Sequence, residues 1–506
     1  MSKSYVLSID QGTTSTRAIL FDEAGRPCGS ASAPLTQIFP APGQVEHDAN
    51  EIWQSVLQVC RGVLCETGAA SIAAIGITNQ RETTVVWERA TGEPLANAIV
   101  WQDRRTAPLC AELEAEGWAG HITEATGLVI DPYFSATKLA WLLTNVPGLA
   151  ERAKRGEVCF GTIESFLMFK LTGGETHVTD ATNAARTKMF DIRSGAWDAR
   201  LLDRLCVPLE MLPDVRDCQS DFGMTAEEHF GVRLPIRGVA GDQQAAAYGQ
   251  ACFQPGMLKA TYGTGGFVVA NTGGDKVAST TRMLSTILYQ QEGTRTYALE
   301  GAIFMAGATI QWLRDSLGLI ANAGESETLA AEGHPNSGVY LVPAFQGLGA
   351  PFWDAHARAA IVGLSRASTK ADIVAAGLEA VAFQTRDLLT GMGHDMRRSG
   401  VGPTHALRVD GGMTANAWAM QRLADILGEP VEVAAVLETT ALGAAYHAGQ
   451  AVGFYGDNET LGAAWKRSKL FEPKMGETER DARYDGWLEA VDRVRSREAR
   501  EGSSDV

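Results

Sequence analysis

Residues 8–18 read SIDQGTTSTRA, and a second stretch, TYGTGGF at 261–267, sets Thr264 in the same kind of turn 251 residues after Thr13. Each turn follows a short apolar run, 5–9 in one case and 257–262 in the other, and each leads into a second run, 16–21 and 267–271. Two such runs flanking a glycine turn predict a β-hairpin. Glycine frees the turn backbone, and successive N–H groups with the hydroxyls of Thr13, Thr14 and Thr264 can surround phosphate oxygens. One such turn reads equally well as a solvated hairpin tip. Two of them, half a chain apart, predict duplicated α/β lobes with phosphate held between the copies.

The segments around the hairpins support an α/β class. Asp48 can cap a helix through Ile52, Val56, Val59 and Val63, spaced near the helical period. A strand at 72–77 delivers Asn79, Gln80, Arg81 and Glu82 to its end, and another follows at 83–87. Helices are expected at 136–143 and 164–171. A strand at 235–240 runs into Gly241, Asp242 and a helix over 243–252. The second half predicts a helix near 302–317, a strand at 339–343, a long helix at 370–389, a strand at 406–409 and a helix at 416–427. We divide the chain into lobes 1–250 and 251–506, with a charged terminal helix and a frayed end, 501–506, that has no catalytic role.

A chain of 506 residues exceeds one hydrophobic core. The formal charge of −16 argues against nucleic acid as a partner. It leaves room for a nucleotide, because backbone N–H groups and a metal can make a site locally positive. The eight cysteines form no CxxC pair and read as free thiols of a reducing compartment. Neither a signal peptide nor an apolar stretch long enough to span a bilayer is legible, so the expectation is a cytoplasmic protein without integral membrane association.

Chemistry is concentrated at strand ends, where α/β folds place ligands. Asp10 could anchor Mg²⁺ beside substrate phosphates. The turn is not a Walker A loop, since no GxxxxGK[ST] follows the strand. Asp242, at a strand end and a helix start, is the candidate general base for an attacking hydroxyl. An ordinary aspartate, with a pKa of about 3.9, would already be ionised at neutral pH. Arg81 and Glu82 could bind two hydroxyls of a small polyol, with Trp101, Tyr133 and Phe267 as an apolar wall; the alternative is a surface ion pair. No HExxH or GxSxG pattern supports zinc or serine chemistry.

SIDQGTTSTRA at 8–18, GITNQRETTVVW at 76–87, VWQDRRT at 100–106, TGLVIDPYFSATK at 126–138, GVAGDQQAA at 238–246, TYGTGGF at 261–267, FMAGATIQWLRD at 304–315 and LRVDGGMTANAWAMQ at 407–421 resemble the glycerol-phosphorylating members of the FGGY carbohydrate kinase family. The resemblance runs over residues 4–490. It implies a ribonuclease-H-like (actin-like ATPase) domain in each lobe, with ATP and glycerol in the interdomain cleft. It also implies glycerol contacts from Arg81, Glu82, Trp101, Tyr133, Asp242, Gln243 and Phe267. Phosphate contacts would come from the turn at Gly12, Thr13 and Thr14 and from Thr264, supported by Arg17 and Gly265. Nucleotide contacts would come from Gly307, Gln311, Gly412 and Asn416, with Mg²⁺ near Asp10 and Asp242. A homo-oligomer, dimer or tetramer, is expected. Ala136 and Gly266 depart from the family pattern, which has glycine and cysteine there. The rivals are a kinase for a larger polyol, against which the three bulky aromatics weigh, and an actin-like ATPase, which has no need of the QRE and GDQQ clusters.

Overall fold

The computed structural model describes residues 4–402 and 406–496. β1 (Tyr5–Gln11) and β2 (Ser15–Phe21) form an antiparallel hairpin in which Asp10 faces Arg17 in register, and β3 (Pro27–Pro34) pairs with β2. α1 (Ala49–Thr67) begins at Asp48, whose side chain accepts from the N–H of Asn50, and its stripe of Ile52, Val56, Val59 and Val63 is buried. β4 (Ile72–Asn79) lies parallel to β1, so residues 80–82 sit just beyond its C-terminal end. α2 (Ser135–Asn145) follows, and β5 (Ile236–Gly241) adds parallel to β4 before α3 (Asp242–Gly249) starts without a loop. The sheet order is β5-β4-β1-β2-β3.

The second sheet repeats this topology. β6 (Leu258–Tyr262) and β7 (Gly266–Gly273) form the second turn's hairpin. β8 (Leu284–Gln291) and β9 (Thr294–Ile303) extend the antiparallel side through β9. After α4 (Gly307–Asp315) and the long α5 (Lys370–Arg398), β10 (Leu407–Asp410) pairs parallel with β6. α6 (Ala417–Leu427) leads to β11 (Val431–Ala434), parallel to β10. With α7 (Thr439–Ala451) and the antiparallel edge strand β12 (Arg467–Phe471), the order is β8-β9-β7-β6-β10-β11-β12. In both sheets a hairpin is flanked by an antiparallel strand on one side and two parallel strands on the other, as expected of duplicated lobes.

Two details differ from the sequence reading. The helix expected near 302 starts at Gly307, because Ala302 and Ile303 complete β9, the run TYALEGAI being apolar enough to suit either state. α7, from the second half of the chain, packs on the first sheet against β4, β5, β1 and α3. That approach is backbone on backbone. A Cβ at Gly76 of β4 would collide with the carbonyl of Ala444, and one at Gly443 with that of Ala245. α8 (Glu477–Val494) is the terminal helix, and 501–506 lie outside the described residues. Among the described residues no helix is long and apolar enough to cross a membrane, and the eight cysteines are all free.

Candidate active site

Both turns point into one cleft. A cavity of about 620 Å³ is lined by Thr13 and Thr14 from the first hairpin, Gly263, Thr264 and Gly265 from the second, and Arg81, Glu82, Trp101, Tyr133, Asp242, Gln243 and Phe267 between them. A second cavity of about 360 Å³, lined by Gly307, Gln311, Gly412 and Asn416 among others, meets it at Gly263, Thr264 and Gln311. The residues expected at the acceptor and those expected at the nucleotide thus occupy adjoining chambers that share the second turn.

The turn between them is held tightly. The N–H groups of Gly307 and Ala308, opening α4, donate to the carbonyls of Gly263 and Thr264, each at 3.0 Å. A Cβ on Gly307 would lie 2.6 Å from the Gly263 carbonyl oxygen, too close for any side chain there. Asn416 caps α6 by accepting from the Ala419 N–H and donates to Ser326 at 3.2 Å. Asp10, Gly12 and Arg17 are not in the lining. Gly12 closes the first turn through its N–H to the Ser15 carbonyl, and Arg17 pairs at the surface with Glu438 at 2.8 Å. Register sets Arg17 opposite Asp10, whose pKa its charge lowers, and its guanidinium reaches Glu438 in the segment before α7.

The larger chamber, the one expected to take the acceptor, has an aromatic wall and a charged floor. Trp101 meets Tyr133 and Phe267 edge-on, with ring centroids 5.6 and 6.3 Å apart, and its indole N–H donates to Thr13 Oγ1 at 2.9 Å. Arg81 and Glu82 are buried rather than a surface pair, and they are 3.9 Å apart. Each has another partner. Arg81 binds Glu300 of β9 through two hydrogen bonds of 2.5 and 2.9 Å, while Arg186 Nε donates to Glu82 at 2.6 Å and approaches Glu300 at 3.1 Å. Glu82 holds its backbone at φ 61°, a left-handed conformation that costs a non-glycine residue about 1–3 kcal/mol and persists only where its surroundings enforce it. Ser135 at the start of α2 supplies part of that enforcement by donating to the Glu82 carbonyl at 2.9 Å.

Asp242 Oδ1 lies 3.0 Å from Arg81 Nε and accepts the Gln243 N–H at 2.7 Å. Among the described residues no donor occupies its Oδ2, and the side chain keeps 29% of its surface exposed to the cavity. The expectation of an ordinary aspartate is corrected here. Desolvation raises its pKa above the usual value, against the opposing pull of Arg81 and Lys259. Asp10 is pushed up to about 7 by burial, with Arg17 lowering it and the charges of Asp242 and Glu438 raising it further. The residues that sequence reasoning missed are Glu300, Arg186 and Lys259, which support the lining from behind, and Gln37, Gln102 and Thr261, which complete it. The available signal was a charge inside an apolar strand, as in YALEGAI and MLKATY.

Two carboxylates, Asp10 with its pKa raised in part by the charge of Asp242, offering hard oxygen donors with no third acidic ligand among the described residues, fit a cation held mainly by substrate phosphates. Among the described residues no group of three or more His, Cys, Asp or Glu could hold a metal ion by itself. Ala136 is fully buried at the start of α2. A Cβ on Gly266 would already meet Tyr262 at 3.2 Å and Ile303 at 3.4 Å, so a cysteine there would need those neighbours to shift.

The models of the FGGY family of carbohydrate kinases match the chain in both halves, the N-terminal domain over residues 5–249 and the C-terminal domain over 258–452. Among curated proteins it is 56% identical to glycerol kinase of Brucella ovis, over 97% of this chain and 99% of that one. It is 55% identical to glycerol kinase of Ectopseudomonas mendocina, over 98% and 100%. Among solved structures it superposes on Plasmodium falciparum glycerol kinase with ADP at a TM-score of 0.90 and 37% identity, covering 97% of this chain and 98% of that one. The fold is also that of xylulose kinase from Lactobacillus acidophilus, at a TM-score of 0.84, 24% identity and 97% coverage of both chains. With both domain models matched, two sheets of one topology and adjoining chambers at a shared turn, the chain belongs to the FGGY family of carbohydrate kinases.

Proposed function

We propose that this protein transfers the γ-phosphoryl group of ATP to a terminal hydroxyl of glycerol, giving sn-glycerol 3-phosphate and ADP. The observation that carries the reading is the acceptor chamber itself. Three aromatic side chains close it to a small carbon skeleton, while Arg81, Glu82, Asp242 and Gln243 offer polar groups to its hydroxyls, next to the turn shared with the nucleotide chamber. The full-length likeness to glycerol kinases supports the same choice of acceptor.

In this reading Arg81 and Glu82 fix two hydroxyls, and Asp242 Oδ2 accepts the proton of the third as its oxygen attacks. Asp242 Oδ1 stays bound to Arg81 and to the Gln243 N–H, so the carboxylate is already oriented before the acceptor arrives. Thr14, Thr264 and the backbone of both turns hold the phosphates in line, which is most of what phosphoryl transfer asks of a protein. Asp10 and Asp242 would hold Mg²⁺, which supplies charge neutralisation at the phosphate oxygens. Gly307, Gln311, Gly412 and Asn416 receive the nucleotide.

The test is ADP release measured with glycerol, dihydroxyacetone, erythritol and xylulose as acceptors, with product stereochemistry assigned. Glycerol should give the highest kcat/KM. ATP turnover independent of any polyol would overturn the reading in favour of a switch-type ATPase.

A further inference from the structure

Lys259 lies on β6, wholly buried, immediately behind the acceptor chamber and outside its lining. Its ammonium donates to Gln243 Oε1 at 2.5 Å and to Thr261 Oγ1 at 2.8 Å. Both of those residues do line the chamber. Such a buried cation is expensive to desolvate, and it is retained here with two neutral acceptors as its hydrogen-bond partners, Asp242, Asp410 and Glu300 acting on it only through their charge.

We propose that Lys259 is a positioning residue that sets the hydrogen-bonding sense of the acceptor chamber, turning Gln243 and Thr261 into donors toward the substrate. This rests on the acceptor reading given above and adds a specificity rule to it. An ammonium can only donate. It therefore fixes the Gln243 amide with Oε1 facing inward to the strand and the NH₂ group facing the chamber. By using the Thr261 oxygen as acceptor, it also leaves the Thr261 hydroxyl hydrogen to point elsewhere. With Arg81, also donor-only, the chamber has donors from three residues and keeps Asp242 and Glu82 as its acceptors. A hydroxyl satisfies such a surround because it gives one proton and receives at its lone pairs. A protonated amine set against Gln243 and Thr261 has no lone pair to offer and meets donors it cannot pair with, so only the positions facing Asp242 and Glu82 would accept it.

The probe is 3-amino-1,2-propanediol, a cation at pH 7, compared with glycerol as substrate and as competing ligand. At that pH Lys259 is charged, since burial lowers its pKa only to about 8, with Asp410, Asp242 and Glu300 favouring the ammonium and Arg81 opposing it. The wild type should discriminate strongly for glycerol. Lys259→Met, which lets the amide turn over, should raise the KM for glycerol more than it lowers kcat and reduce the glycerol preference by about tenfold or more. Lys259→Arg should restore part of the preference.

Gln243→Glu tests the rule without touching Lys259. It keeps the shape, satisfies the ammonium, and puts an acceptor where the NH₂ faced the chamber, so the preference should fall here too. Equal losses for both ligands in Lys259→Met, or an unchanged preference in Gln243→Glu, overturn the proposal. If the wild type shows no glycerol-dependent turnover, the acceptor reading fails instead, so the two failures are distinguishable.

Discussion

Arg81, delivered by the first sheet, and Glu300, in a strand of the second, share two hydrogen bonds across the lobes, with side chains 2% and 0% exposed. The residue that reaches Asp242 and lines the larger cavity is thus oriented from the opposite lobe. Arg186 takes up the remaining charge by linking Glu300 to Glu82. Removing one partner of such a buried pair leaves an uncompensated charge, which costs about 3–5 kcal/mol.

Glu300→Gln is therefore expected to lower the Tm markedly and to depress kcat/KM for glycerol, as read by thermal unfolding and steady-state kinetics. The effect has a sign in pH. Glu300 is held at about 2 in the fold, chiefly by Arg186 and Arg81 working against its desolvation, below its ordinary value of 4.5. Its contribution to stability is present above the ordinary value and is lost as pH falls through about 2. The difference in unfolding free energy between variant and wild type should shrink steadily across that window.

Asp242→Asn should lower kcat by about 10²–10⁴, the range for a lost general base, with ATP binding measured by calorimetry little changed. Because desolvation raises the Asp242 pKa, the acid limb of the wild-type kcat/KM profile should lie above the pH at which an ordinary aspartate titrates. In the proposed role as base Asp242 must be ionised to act, so activity should fall as pH decreases.

Asp10→Asn should separate stability from activity. The folded value of about 7 exceeds the ordinary 3.8, so folding is favoured below the ordinary value and the carboxyl opposes it increasingly as pH rises through 7. The variant without nucleotide should gain more in Tm at pH 8 than at pH 5. Its turnover should fall, and the Mg²⁺ concentration needed for half-maximal rate should rise.

Gly307→Ala should act chiefly on the nucleotide side. Its Cβ would meet the Gly263 carbonyl and move the shared turn. The KM for ATP should rise several-fold or more while the glycerol dissociation constant, measured without nucleotide, stays near the wild-type value.

Trp101→Ala removes the ring that joins Tyr133 and Phe267 and the hydrogen bond to Thr13. The preference for glycerol over erythritol should narrow by roughly 10–100-fold, a range set by small changes in an apolar pocket. Parallel kcat/KM measurements on the two acceptors check it.

The hairpins with their threonine turns, the Asp48 cap and the strand that carries Gln80–Glu82 were legible because each is a local pattern: alternation, glycine, a capping side chain. The long helix at 370 was legible for the same reason, although it extends to Arg398. β9 was not, since an apolar run with alanine and leucine suits a strand or a helix until its neighbours are known. At the site, the cleft brings the residues expected at the acceptor into one chamber, a juxtaposition that the family resemblance implied and no single motif could show. The partners behind them are beyond local reading: Arg81 and Glu300 are 219 residues apart, and only the packing of two sheets joins them. The raised pKa of Asp242 belongs to the same class, because desolvation is a property of the assembled cleft.

α7 has a consequence for how the chain is made. The first sheet lacks one of its covering helices until residues 439–451 have been synthesised, although its five strands are complete by Gly241. A nascent chain stopped after the first lobe would present the faces of β4, β5 and α3 uncovered, with glycines where a helix should lie. A fragment of residues 1–250 should aggregate or bind chaperones when expressed alone, and co-expression of the remainder should rescue it. Synthesis of residues 439–451 thus closes a sheet whose strands were made about two hundred residues earlier.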